Sequence, residues 1–211
     1  MTTGRKHNLD KLDISKTSAQ LNDRGIPLFD KTTFMLSGTN HLFIAGDNTG
    51  EKQLLHEASD EGRIAGHNSV NSEKSFQTRT PLGVTFSDPN IAYCGQMYAE
   101  LTDHKVDFEI GEVLFEGQGR SIVKLKEKGM LRVYGDKKTH QVLGAELFAP
   151  GGEHLAHLLS WVISQKMTVQ EVLALPFYHP VVEEGLRTAL RDLRVKLDPD
   201  FNGLEVFEKE L

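Results

Sequence analysis

Between Pro81 and Phe148 the apolar residues come in short runs cut by turn signals, and after Gly152 they recur at helical spacing instead. Strand candidates at 83–86, 91–94, 108–115, 121–125, 130–134 and 142–148 are separated by Asp88-Pro89-Asn90, Gly117-Gln118-Gly119, Lys128-Gly129 and Gly135-Asp136. Residues of those types set the backbone angles of tight turns and interrupt strand pairing. Alternation in Ser121-Ile122-Val123-Lys124-Leu125-Lys126 predicts a strand with one wet face. Residues 97–101 allow a short helix. Further on, Leu155, Leu158, Leu159, Val162 and Ile163 predict a helix over 152–165. Thr168-Val169-Gln170-Glu171 is a capping-box pattern opening a second. Val182, Leu186, Ala189, Leu190 and Leu193 predict a third over 182–193. Strands first and helices after is the signature of an α+β domain: an antiparallel sheet flanked by helices.

The first third of the chain follows another pattern. Residues 3–39 are polar and broken by Gly4, Gly25, Pro27 and Gly38, which predicts short extended pieces. Residues 42–45 read as a brief buried strand running into Gly46-Asp47. A helix is predicted over 54–66, with Leu54, Leu55, Ala58, Ile64 and Ala65 on its apolar face. The polar stretch 68–80 reads as a linker. The expected division is therefore 1–75, 76–199 and a poorly patterned tail, 200–211.

Charge and composition exclude several classes of function. The net charge of −6 gives no pull toward nucleic acid or an anionic membrane. No apolar run nears the roughly 20 residues that span a bilayer. The opening MTTGRKHN lacks the apolar stretch of a signal peptide. The sole cysteine, Cys94, cannot form an intrachain disulfide and reads as a buried structural thiol. A reducing, cytoplasmic setting is the expectation. His154 and His157 lie one helical turn apart, but no further ligands complete a set, so no metal site is expected. Gly117-Gln118-Gly119-Arg120 lacks the third glycine and the helix of a dinucleotide fingerprint. Trp161 is expected in the core or at a subunit contact.

Two segments carry chemistry. In the first, His179-Pro180 precedes a helix, and Glu184 follows His179 by five residues. Proline suits a helix entrance, where a missing N–H costs little. A carboxylate beside an imidazole orients its tautomer and stabilises the imidazolium, which equips a general acid/base. On spacing alone, a helix cap or an ordinary surface histidine is the favoured reading. In the second, Phe43-Ile44-Ala45-Gly46-Asp47 places a flexible glycine and a carboxylate after an apolar run. Such a carboxylate can accept hydrogen bonds from sugar-like hydroxyls, or the segment can be a plain turn.

The His-Pro…Glu pattern resembles the catalytic signature of the pyridine-nucleotide disulfide oxidoreductases, which include dihydrolipoamide dehydrogenase and glutathione reductase. The likeness runs in order along the chain. Thr3-Gly4-Arg5 with Asn8 resembles the exit from that family's NAD domain, and Gly46-Asp47 its late flavin motif. Thr80-Pro81, Phe86, Asp88-Pro89, Gly95, Gly144 and Gly152-Glu153 fall where its interface domain has similar residues.

The resemblance implies a domain remnant of the α/β FAD-binding type followed by a dimerisation domain. It implies that His179 is the acid/base and Glu184 its partner, presented to the active site of a second copy of the subunit. It implies that Asp47 holds the ribityl chain of FAD, and that the helix beginning at Leu54, Leu55 and His56 points its first amides at the flavin ring. The implied parent reoxidises a dihydrolipoyl group and passes the electrons to NAD. A glutathione reductase-like parent and a non-catalytic dimerisation module are the alternatives. The family's Gly-rich fingerprints and Cys-x4-Cys pair do not occur in this sequence. The expectation is therefore part of a longer enzyme, with FAD and NAD belonging to the intact protein and neither cofactor nor activity retained by this chain alone. Leu42 and Ile44 are then expected to be poorly covered.

Overall fold

The computed structural model describes residues 7–9 and 11–207. The chain forms two compact units, 1–78 and 79–211.

In the first unit, one turn of 3-10 helix, Ile14–Lys16, leads into three isolated bridges: Leu21 with Pro27, Phe29 with Leu36 and Met35 with Phe43. A second 3-10 turn, Gly46–Thr49, precedes helix α1, Leu55–Val70. Among the described residues, Phe43 pairs only with Met35, so 42–45 forms no strand: a ladder needs a row of partners. Ile44 is nonetheless buried, and its amide donates to Phe34 O at 3.0 Å. The expected exposure of Ile44 is thus overturned, and Leu42 is half-covered, because the loops close over them with Phe29 stacked on Phe34.

Helix α1 also turns a different face inward from the one its apolar residues predict. Glu57, Glu61, Ala65 and Asn68 are buried, whereas Leu55 is 88% exposed. Polar partners account for Glu61 and Asn68, though not for Glu57, whose Oε1 is buried with no hydrogen-bond partner among the described residues. Asn68 donates to Thr33 O and Lys74 O and accepts from the Lys74 amide, so it joins α1 to both flanking segments.

The second unit holds a five-stranded antiparallel sheet: β1 (Leu82–Thr85), β2 (Asn90–Gly95), β3 (Phe108–Leu114), β4 (Met130–Asp136) and β5 (Val142–Ala149). Its order is β1-β2-β5-β4-β3. Helix α2 (Tyr98–Asp103) links β2 to β3, and α3 (Gly119–Val123) links β3 to β4. Helices α4 (Gly152–Ser164), α5 (Val169–Leu173) and α6 (Glu184–Leu197) complete the α+β fold. Helix α4 packs on β2 and β5, and α6 on β3 and β4. Leu131, Val133, Ala145, Leu159, Leu190 and Leu193 are fully buried between the layers, as is Cys94 on β2. Burial pushes the Cys94 thiol up to about 12, which makes it inert.

The predicted strand at 121–125 is instead α3 followed by a turn. Gln118 caps the helix by accepting from the Ser121 amide at 2.7 Å. The apolar alternation there misleads because Ile122, Val123 and Leu125 are exposed and Ser121 is buried. The predicted third helix begins two residues later than its apolar spacing suggests, at Glu184. Residues 201–205 of the tail are also better tied than their pattern predicts. Glu205 pairs with Arg187, Arg191 and Arg194, and the Arg194 guanidinium lies over the Phe201 ring.

Candidate functional site

Helix α6 is amphipathic, and its apolar stripe of Leu186, Ala189, Leu190 and Leu193 fixes it against the sheet. That packing fixes Glu184, the first residue of the helix. The loop before the helix is held from another element: Gln118 Nε2 donates to Val181 O at 2.8 Å. Within this frame His179 Nδ1 donates to Glu184 Oε1 at 2.8 Å, and the Val181 amide donates to Glu184 Oε2 at 3.1 Å. Both carboxylate oxygens are thus engaged. The bond from His179 and then that from Val181 hold the Glu184 carboxyl below the usual carboxylate range. A carboxylate partner places the ring proton on Nδ1, which leaves Nε2 as the imidazole's free acceptor. The histidine side chain is 80% exposed while that of Glu184 is 31% exposed. An oriented, accessible base on a fixed carboxylate can take a proton from a group brought to it from outside the unit.

Two concave surfaces adjoin the dyad. A cleft of about 450 Å³ is lined by Tyr178, Pro180, Val182, Arg120, Lys124 and His154. An apolar groove of about 410 Å³ is lined by Leu158, Trp161, Met167, Leu175, Phe177 and Leu186. Trp161 is 65% exposed and Tyr178 78% exposed, so the groove has wide aromatic edges. Of the two places expected for Trp161, core or subunit contact, the core is excluded by its exposure. His154 and His157 converge on no ligand set; His157 Nδ1 bonds Glu153 O on its own helix. Among the described residues there is no cluster of three metal-ligating side chains.

The first unit brings the other sequence-predicted residues together. Gly46 has φ 74°, a conformation glycine adopts freely, and its amide donates to Glu61 Oε2 at 2.6 Å. A Cβ on Gly46 would meet Ala58 Cβ at 3.4 Å, so the turn lies against α1. Asp47 is exposed on the 3-10 turn. Leu54 precedes α1 and supplies no side-chain cap, and the first helical bond runs from Ala58 N to Leu54 O. The amides of Leu55, His56 and Glu57 therefore have no intrahelical acceptor. Leu55 and His56 are exposed around them. An exposed carboxylate beside uncapped helix amides suits a polyol chain ending in a hydrogen-bond-accepting ring, so these residues fit part of a flavin cradle. Thr3, Gly4 and Arg5 lie outside the described residues. Asn8 donates its amide to Asn48 Oδ1 at 3.3 Å, which ties Asn8 to the Gly46–Thr49 turn.

Sequence reading missed Glu61 and Gln118, the residues that hold Gly46 and Val181 in place. Glu57, Glu61, Ala65 and Asn68 fall on one helical face at spacings of four, four and three, a signal that could have exposed Glu61. Gln118 stands in a turn, and nothing local marks it.

Residues 82–190 match the family described as "Pyridine nucleotide-disulphide oxidoreductase, dimerisation domain". The chain belongs to that family, and its antiparallel sheet with helices is the fold of the dimerisation domain.

Similar proteins are oxidoreductases. The chain is 28% identical over 193 residues to a soluble pyridine nucleotide transhydrogenase of Pseudomonas paraeruginosa, covering 90% of this chain and 41% of the relative. It is 24% identical over 186 residues to a dihydrolipoyl dehydrogenase of Haemophilus influenzae, covering 88% and 38%. The chain thus spans about two fifths of these relatives' length. In fold it resembles LpdA of Mycobacterium tuberculosis, with TM-score 0.74 at 21% identity, covering 88% of this chain and 40% of that one. It also resembles the HOCl-induced flavoprotein disulfide reductase RclA of Escherichia coli, with TM-score 0.72 at 21% identity, covering 90% and 43%.

Proposed function

We propose that this chain serves an FAD-dependent disulfide oxidoreductase of the dihydrolipoyl dehydrogenase type, to which it supplies the His179–Glu184 acid/base dyad, one flavin contact and the subunit interface. The 2.8 Å bond between His179 Nδ1 and Glu184 Oε1 on an exposed imidazole carries the reading. His179 Nε2 accepts the proton of a substrate thiol, and Glu184 stabilises the imidazolium that results. The thiolate released is the form that reacts in disulfide exchange. A ring this exposed works in a closed site only when a second subunit covers it, so the apolar groove with Trp161 and Tyr178 at its edges is assigned to the contact with another copy of the chain. Asp47 and the first amides of α1 contact FAD, which carries an electron pair from the dithiol to NAD when bound. The chain by itself, with one cysteine and no Gly-rich fingerprint, is expected to hold no FAD and to turn nothing over.

The test is His179→Ala in the polypeptide that joins this sequence to a flavin cradle and a cysteine pair. Dihydrolipoamide oxidation should fall roughly 10²- to 10⁴-fold, while reduction of a one-electron dye by NADH stays within a few fold. A loss below about threefold in the first assay would remove His179 from the reaction.

The similarity to a transhydrogenase favours a second reading, hydride exchange between two pyridine nucleotides. No thiol proton moves in that reaction, so His179→Ala would leave it unchanged. The same variant therefore separates the two readings.

A further inference from the structure

Among the described residues Glu184 is the only carboxylate bonded to His179, yet it also has a cation within reach. Arg187 stands three residues on along α6, a spacing at which acid and base side chains on a helix face meet. Its charge already adds to the bonds from His179 and Val181 that hold the Glu184 carboxyl low. Arg187 is nevertheless turned elsewhere. Its Nη2 donates to Glu205 Oε2 at 2.9 Å, and its guanidinium lies 5.7 Å from the Phe177 ring, two residues before His179. Its Nε is buried and, among the described residues, without a hydrogen-bond partner, so the guanidinium is incompletely satisfied where it sits. Glu205 itself is firmly placed. Arg191 reaches it with three contacts of 2.6–3.1 Å, and Gln170 Nε2 donates to the neighbouring Leu204 O at 3.0 Å.

We infer that Glu205 is a positioning residue for the dyad: by holding Arg187 against Phe177 it keeps that arginine off Glu184 and reserves the carboxylate for His179. The inference rests on the dyad being the working acid/base pair. Glu205 is far from His179 in sequence and touches neither member of the pair. It acts through Arg187 alone, and this separates it from a residue that merely supports the fold. Loss of a structural contact is not repaired by removing a second one, whereas loss of a restraint is repaired by removing what it restrained.

The test reads the His179 tautomer by ¹⁵N NMR in the full chain, at a pH where the imidazole is neutral, in wild type, Glu205→Gln, Arg187→Gln and the double variant. Circular dichroism checks that each is folded. Wild type and Arg187→Gln should hold the proton on Nδ1. Glu205→Gln should lower the Nδ1–H to Nε2–H ratio about twofold or more, as expected for a helical ion pair drawing on Glu184. The double variant should return to the wild-type ratio. An unchanged ratio in Glu205→Gln, as when Glu183 captures the freed arginine, overturns the inference, and so does a double variant that stays low. A wild-type ring without the Nδ1 proton would instead sink the dyad itself, so the two failures are distinguishable.

Discussion

The amide of Gly46 donates to Glu61 Oε2 across 2.6 Å, and this bond fastens the turn that carries Asp47 to the second turn of α1. Removing the acceptor leaves a half-buried amide unpaired, at a cost of about 1–3 kcal/mol. Glu61→Ala should destabilise the first unit by that amount in urea unfolding, and Glu61→Gln, which keeps an acceptor oxygen, by less.

Burial raises the Glu61 carboxyl above its ordinary value of 4.5, helped by the charges of Glu57, Glu51 and Asp47, although the Gly46 bond opposes it. A raised folded-state pKa means that the folded chain binds the proton more tightly. The stability this contributes is present below pH 4.5 and is lost as pH rises through the raised value. Unfolding of the first unit, followed across that window, should show this slope in the wild type and lose it in Glu61→Gln. An unchanged slope would mean that the carboxyl is solvated.

The Glu184 carboxyl shows the opposite behaviour. Its bonds from His179 and Val181 depress its pKa, so their contribution is present above the ordinary carboxylate value and fades as pH falls through the depressed one. In His179→Ala the Glu184 carboxyl should titrate at higher pH than in the wild type, read from its ¹³C shift. Coincident titration curves would show that the two side chains do not pair in solution.

Glu205 lies among three arginines, and the bond from Arg191 leads in lowering its carboxyl to about 2. Protonating it between the ordinary value of 4.5 and about 2 should release the tail segment 201–207. The shift corresponds to at most about 3 kcal/mol, and the partial exposure of the arginines reduces that. Hydrogen exchange in the tail should accelerate over that pH range while exchange in β4 stays slow. Concerted acceleration in both would place the loss in the whole unit instead.

Gly111 on β3 faces α6, where an added Cβ would collide with Ala189 O and Leu193 Cβ. Both belong to backbone or core that cannot swing away. Gly111→Ala should therefore destabilise the second unit by about 1–3 kcal/mol through overpacking. The thermal midpoint measures it. A neutral result would mean that α6 can shift outward, and the His179–Glu184 geometry would then shift with it.

Strand and helix identities in the second unit were legible wherever one side chain in two, or one in three or four, met the core. Val133 and Ala145 and the α6 stripe follow that rule. Residues 121–125 broke it, because alternation reports a strand only if a partner strand is present, and Gln118 caps a helix there instead. In α1 the most hydrophobic residue of the first turn, Leu55, stays outside while Glu61 and Asn68 go in. Hydrogen-bond partners supplied from elsewhere in the chain outweigh the transfer preference of a single side chain, and local pattern cannot count them.

The sequence by itself determined that this chain carries an antiparallel sheet followed by helices, and that a histidine and a glutamate five residues apart stand at a helix entrance. Periodicity and Pro180 are local properties, and local properties survive without the rest of the molecule. Only the tertiary structure decided that Gln118 and Val181 fix the loop, that Glu184 turns both its oxygens to the loop, and that Glu205 draws Arg187 aside. Those arrangements depend on distances between residues up to 63 positions apart, which no spacing along the chain encodes.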